Sequence, residues 1–245
     1  MASRKEQKEA ARQRRLAEEQ ARLARERRQR RFQMIGGTVL AAVAIGAVLF
    51  AISSGSGNST AGEIKPSPGA VKLPAQRITD LTAAAKAAGC VMIDTPDSIA
   101  RTDQNRTHVA PGTKVNYQTN PPSYGPHYPV PAHDAEYKAG STPASGYVVH
   151  AMEHGRIEYQ YGPGLATADV KQLEALYEEG DGPWAPRQML LLFQNATHMP
   201  YAVAATAWGH VLGCKTFNPR VFDAFRAFRL TYTNKGPEQL GTGPE

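Results

Sequence analysis

Nineteen consecutive residues without a charge, MIGGTVLAAVAIGAVLFAI at 34–52, constrain this chain more than any other feature. As a helix they would extend about 28 Å, close to the roughly 30 Å hydrocarbon core of a bilayer. A buried core helix seldom lacks polar residues on every face over such a length, so the stretch reads as one transmembrane helix. Residues 1–33 carry 12 Lys+Arg against 5 Glu, whereas SSGSGNST follows the span. The positive-inside rule then puts the N-terminus in the cytoplasm and everything after Ile52 outside, as a signal anchor in the cytoplasmic membrane.

The formal net charge of +6 belongs to that tail, because the rest of the chain holds 16 basic and 17 acidic residues. The outer part therefore has no global basic field, and no nucleic-acid partner is expected. The tail alternates Arg, Glu, Gln and Ala, and reads as a solvated helix near anionic lipid headgroups. Its expected partners are the bilayer, through one span, and those headgroups.

Residues 53–77 are rich in Ser, Gly and Pro and read as a linker. The pattern beyond it predicts a domain over 78–232 and a loose, flexible tail over 233–245. Asp80 or Thr79 can cap an Ala-rich helix ending at Gly89, and Cys90–Ile93 reads as a short buried strand. Turn formers dominate 101–146. Thr167–Glu179 has helical spacing of Val170, Leu173, Leu176 and Tyr177, and QMLLLFQ and YAVAATAWG read as two strands. Asn218 and Pro219 predict a cap and a first helical residue, followed by an apolar face of Val221, Phe222, Phe225 and Phe228. The fold class is α+β, a small mixed sheet with a few helices and long Pro/Gly-rich loops. The two cysteines, Cys90 and Cys214, both fall on the outer side, where a disulfide persists. They are expected to be paired.

All seven histidines also lie beyond the span, and only His150 and His154 are close in sequence. The run His150-Ala-Met-Glu-His154 fits H-x-x-E-H, a pattern that on a helix lets both imidazoles bind one zinc while Glu153 activates water. Tyr147, Val148 and Val149 favour a strand before it, however, and Gly155 stops any helix after it. In a straight strand the two histidines would stand about 13 Å apart, too far for one ion with bonds of about 2 Å. Either Ala151–Gly155 bends and builds a site, or the two histidines do unrelated jobs. His127 and His108 sit in Pro/Gly-rich loops able to present imidazole rigidly. His133, His198 and His210 have no supporting pattern. No G-x-S-x-G elbow, phosphate-cradling loop or dinucleotide fingerprint occurs.

PPSYGPHYPVPA, VVHAMEHGRIEYQY, THV at 107–109 and TAWG at 206–209 together resemble the bacterial domain-of-unknown-function family 3105, over roughly residues 80–232. The resemblance implies a membrane-anchored extracytoplasmic domain and brings no activity with it. From the residues themselves, the expectation is a tethered binding domain holding one copper or zinc ion through His127, His150 and His154, with Glu153 and His108 as further ligands. One alternative is an envelope interaction or structural domain without metal. Another is a metal-dependent hydrolase using Glu153 as general base.

Overall fold

Asp80 accepts a hydrogen bond from the Ala83 amide at 2.8 Å, and this cap starts helix α1, Leu81–Ala88. Gly89, at φ 72°, turns the chain out of the helix as only a residue without Cβ does cheaply. Strand β1, Cys90–Asp94, follows at once. The computed structural model describes residues 71–241 and Gly243, all within one unit, Pro66–Glu245. The predicted basic tail, membrane span and most of the linker lie outside the described residues. Among the described residues no helix is long and apolar enough to cross a membrane.

The remaining elements are α2 (Asp97–Ala100), α3 (Ser145–Glu153), β2 (Ile157–Tyr161), α4 (Thr167–Tyr177), β3 (Leu190–Gln194), β4 (Val203–Ala207), β5 (His210–Cys214) and α5 (Val221–Tyr232). The strands form one mixed sheet in the order β1-β5-β4-β2-β3. Only β2 and β3 run parallel, joined through α4, and the other pairings are antiparallel. The expected α+β class with a small mixed sheet is what the chain adopts, and 101–144 contains no strand or helix of its own.

Both faces of the sheet are covered. On one, Ile157, Tyr159, Leu190, Leu192, Ala205 and Leu212 pack against α1, α4 and α5, whose Phe222, Phe225 and Phe228 are fully buried. On the other, α3 presses Val148 and Ala151 onto Leu191 and Phe193, and Val149 and Met152 onto Trp208 and Tyr124. A sheet buried on both sides needs no polar alternation, which is why every residue of β2 and β4 is buried.

Four local expectations are corrected. β1 is an edge strand with Val91 and Ile93 exposed, not a buried one. β5 is a strand the sequence pattern missed, turned back from β4 through Trp208 and Gly209 (φ 80°). α5 begins at Val221, because the Asn218 side chain binds the Arg220 amide at 3.0 Å and holds Pro219 in a turn outside the helix. Residues 233–238, read as part of a loose tail, pack back onto the end of α3, where the Asn234 amide donates to Gly155 O at 2.8 Å and the Glu238 amide to Glu153 O at 2.9 Å. The expected disulfide is present, linking Cys90 and Cys214 directly across β1 and β5.

One buried carboxyl lies under α3. Glu158 is fully buried; its Oε2 accepts from Thr206 Oγ1 at 2.9 Å and Gln160 Nε2 at 3.0 Å, and its Oε1 has no partner among the described residues. Burial pushes its pKa up to about 8, and the two hydrogen bonds offset this only in part. Between the ordinary carboxylate range and pH 8, the unfolded chain has lost a proton that the folded chain keeps. Stability should therefore fall as pH rises through that interval. Denaturant titrations at pH 5 and pH 8 should show Glu158→Gln gaining on the wild type at the higher pH. An equal difference at both values would clear Glu158 of this role.

Candidate metal centre

The site is built on the end of α3. Gly155 (φ 83°) donates to Met152 O at 2.9 Å, and Arg156 donates to Ala151 O at 3.1 Å, the paired bonds of a Schellman stop. This closure keeps helical geometry up to His154, the C-cap residue. His150 and His154 therefore stand one turn apart on the same face, with their Nε2 atoms 3.0 Å from each other. The strand expected at Tyr147–Val149 is a helix. Val148 and Val149 bury fully on either side of it, and that packing outweighs the weak strand preference of two valines. The convergence of the two histidines thus comes from a whole helix, not from a local bend at 151–155.

The loops bring the other groups. His108 and His127 lie side by side in a short parallel bridge, with the Val109 amide bound to His127 O at 2.8 Å and the His127 amide to Thr107 O at 3.1 Å. The imidazoles of His108, His127 and His150 have ring centroids 4.8–4.9 Å apart. His127 also stands edge-on to Trp208, 5.7 Å between centroids. Glu153 points into the same space, its Oε2 2.9 Å from His127 Nε2 and 3.9 Å from His108 Nε2. One ligand atom from each of His108, His127, His150 and Glu153 lies within 4.8 Å of all the others. A tetrahedral ion with bonds of about 2.1 Å separates its ligands by roughly 3.4 Å, so the group has the right dimensions to hold one.

Backbone carbonyls set the tautomers. His127 Nδ1 lies 2.8 Å from Gly125 O, and His150 Nδ1 lies 2.5 Å from Tyr128 O. A carbonyl only accepts, so each Nδ1 carries the proton, and in the neutral ring each Nε2 is left with a lone pair toward the centre. Burial pulls the His150 pKa down to about 4, and the neighbouring imidazoles add to this against the Tyr128 bond, so the ring is neutral at pH 7. Burial pushes Glu153 up, but His127 and Arg106 outweigh it, and the carboxyl ends below its ordinary range. It is an anion.

His127 Nε2 and Glu153 Oε2 are both buried, and neither has a well-aligned hydrogen-bond partner among the described residues. They are 2.9 Å apart, yet off the line a ring N–H would need to bridge them. When His127 is neutral, two acceptors face each other in the buried centre of the group.

Further charged groups lie around this quartet. Arg106 Nε binds Glu153 Oε1 at 3.1 Å, and its Nη2 reaches Glu238 Oε1 at 3.3 Å. His154 Nε2 is 3.5 Å from Glu238 Oε2, so His154 belongs with Glu153 and Glu238 in an adjoining group. Arg106 already supplies the cation between those two carboxylates. Glu238 and Arg106 were not legible as site residues, being lone charges in segments without periodicity. Met152 lies in the apolar cluster with Trp208, on the packing side of α3.

The other histidines are elsewhere. His210 pairs with Asp94 at 2.7 Å and stacks on Tyr232. His133 offers its carbonyl to Tyr137, and His198 occupies a positive-φ turn.

No curated protein and no solved structure matches the chain. The profile of the family described as "Protein of unknown function (DUF3105)" matches residues 108–242, a stretch that begins at His108 and takes in every ligand candidate and Glu238. A match over more than half of the chain, with all four quartet residues inside it, shows that the protein belongs to this family.

Proposed function

We propose that the domain binds one divalent transition-metal ion, zinc or copper(II), through His108, His127, His150 and Glu153. The observation that carries this reading is the convergence of three imidazole nitrogens and the Glu153 carboxylate within 4.8 Å, with His127 Nε2 and Glu153 Oε2 buried 2.9 Å apart and without a well-aligned hydrogen bond among the described residues. A shared cation would satisfy both atoms, and fixed Nδ1–H bonds to carbonyls are the usual outer support of a metal-bound imidazole. Three nitrogens and one carboxylate oxygen, with no sulfur, suit zinc or copper(II) better than copper(I). His154 stands behind His150 as a fifth candidate.

Glu153 is held by Arg106 and faces His127, an arrangement for a ligand more than for a base that must swing toward water. The proposed role is therefore holding or carrying the ion, with hydrolysis the weaker use of the same groups. The apolar stretch 34–52 supports tethering to the cytoplasmic membrane with the domain outside. The disulfide, which persists in oxidising compartments, supports the same side.

Calorimetric titration of the full chain should give about one tight site for zinc or copper, accompanied by proton release. His127→Ala should weaken it at least about 100-fold, while His133→Ala should match the wild type. Binding of neither ion by the wild type, or an His127→Ala variant that binds as well, would sink the reading.

A further inference from the structure

The segment Asn234–Glu238 is fitted to the site more closely than a passing loop requires. Gly155 and Asn234 are packed so that a Cβ on Gly155 would come within 2.7 Å of Asn234 Cα. A Cβ on Gly236 would collide with the carbonyl oxygens of Glu153 and Met152 and with the Gly155 amide. Arg101 Nη2 grips Lys235 O at 2.8 Å, and Arg156 Nη2 grips Gly243 O at 2.8 Å. All these contacts deliver one side chain, Glu238, to the rim of the metal centre.

That carboxylate is seated but weakly held. Its contacts to Arg106 and His154 are 3.3 and 3.5 Å, longer than the roughly 2.7–2.9 Å of strong charge-assisted bonds, and it is 39 % exposed. Arg106 is 31 % exposed and His108 47 %, so the rim opens to solvent on this side, while His127, His150 and Glu153 are closed off. Partly exposed Arg106, with the buried His154 ring beside it at the edge of the candidate metal centre, forms a place for an anion. Within the folded chain, Glu238 fills it.

We infer that the centre accepts a carboxylate-bearing ligand at the position of Glu238, recognised by Arg106 and His154 beside the ion, and that segment 234–238 is its intramolecular competitor. The inference rests on the metal reading above. A carboxylate is the ligand class because it is the group the rim already holds, with one oxygen on Arg106 and the other toward His154. A tethered competitor acts at an effective concentration on the order of millimolar, so free carboxylate should bind measurably only once the segment is displaced.

The test uses the full chain loaded with one equivalent of cobalt(II), whose visible spectrum reports its ligands, titrated with acetate. Glu238→Ala removes the competing carboxylate, and Gly236→Val blocks seating of the segment without altering any ligand. Each should respond to acetate at a concentration about ten-fold lower than the wild type, with chloride at equal ionic strength giving no response. Adding Arg106→Gln to Glu238→Ala should abolish the gain. If cobalt is retained but wild type and both variants respond alike, or none responds, the carboxylate site is wrong and the metal centre stands. If the wild type retains no cobalt in equilibrium dialysis, the metal reading fails and this site falls with it.

Discussion

Glu153→Ala should remove the metal site and also weaken the metal-free fold. Affinity for zinc or copper should drop at least about 100-fold, because the only anionic ligand of the quartet is lost. The fold should lose about 2–3 kcal/mol. Breaking a fully buried pair costs about 3–5 kcal/mol. Here Glu153 is buried, but Arg106 is 31 % exposed and can turn to water or to Glu238. Glu153→Gln keeps the shape and separates the effects, since it should lose the ion while retaining more of the stability. The pH dependence has a definite sign. Glu153 titrates below its ordinary range in the folded chain. Its charge therefore stabilises the fold above the unfolded pKa, and that contribution is lost as pH falls through the folded value. Denaturant titrations of the metal-free wild type and Glu153→Gln should converge in acid. A gap between them that persists unchanged at low pH would mean that the carboxylate's charge has no part in stability.

The second large effect should come from the disulfide. Cys90 and Cys214 are 124 residues apart, and closing a loop of that length is worth on the order of 4–5 kcal/mol in the chain-entropy account. The bond also fastens edge strand β1, whose outer side shows Val91 and Ile93, to β5 in the core. The Cys90→Ser/Cys214→Ser double variant should unfold at much lower denaturant concentration than the oxidised wild type. The slope with denaturant should also change, because the unfolded chain expands. A difference under about 1 kcal/mol would show that β1 and α1 are held well enough by α5 and the sheet alone. Histidine-dependent metal binding should survive in the double variant wherever it stays folded, since the bond and the quartet use different elements.

The periodicity of α4, the phenylalanine face of α5, and the Asp80 and Gly89 ends of α1 were legible in the sequence because each depends on neighbours within a turn or two. The same holds for the strands β3 and β4. The helical nature of α3 was less visible. Its valines suggest a strand locally, and the contrary signal, apolar residues at 148, 149, 151 and 152 followed by a glycine at 155, gains weight only when both sides of the helix have something to pack against. β5 was missed for a similar reason: Val211 and Leu212 are flanked by His210 and Gly213, and only pairing with β1 and β4 makes the segment extended.

His108, His127, His150, His154 and Glu153 could be nominated from the chain alone, because imidazole and carboxylate in rigid loops or close spacing have few other uses in common. Sequence could also say that His150 and His154 meet only if the chain is not a strand there. It could not say which histidines share a centre, because 41 residues of backbone lie between His108 and His150, and only a loop bridge brings His108 to His127. Nor could it show that Gly125 O and Tyr128 O fix the ring tautomers, that Arg106 balances Glu153, or that Glu238 returns over the end of α3. Those are contacts between segments far apart in the chain, and their energies exist only once the folded backbone has brought the partners within a few ångströms. Local chemistry chose the residue types, and the tertiary fold chose which of them face one another.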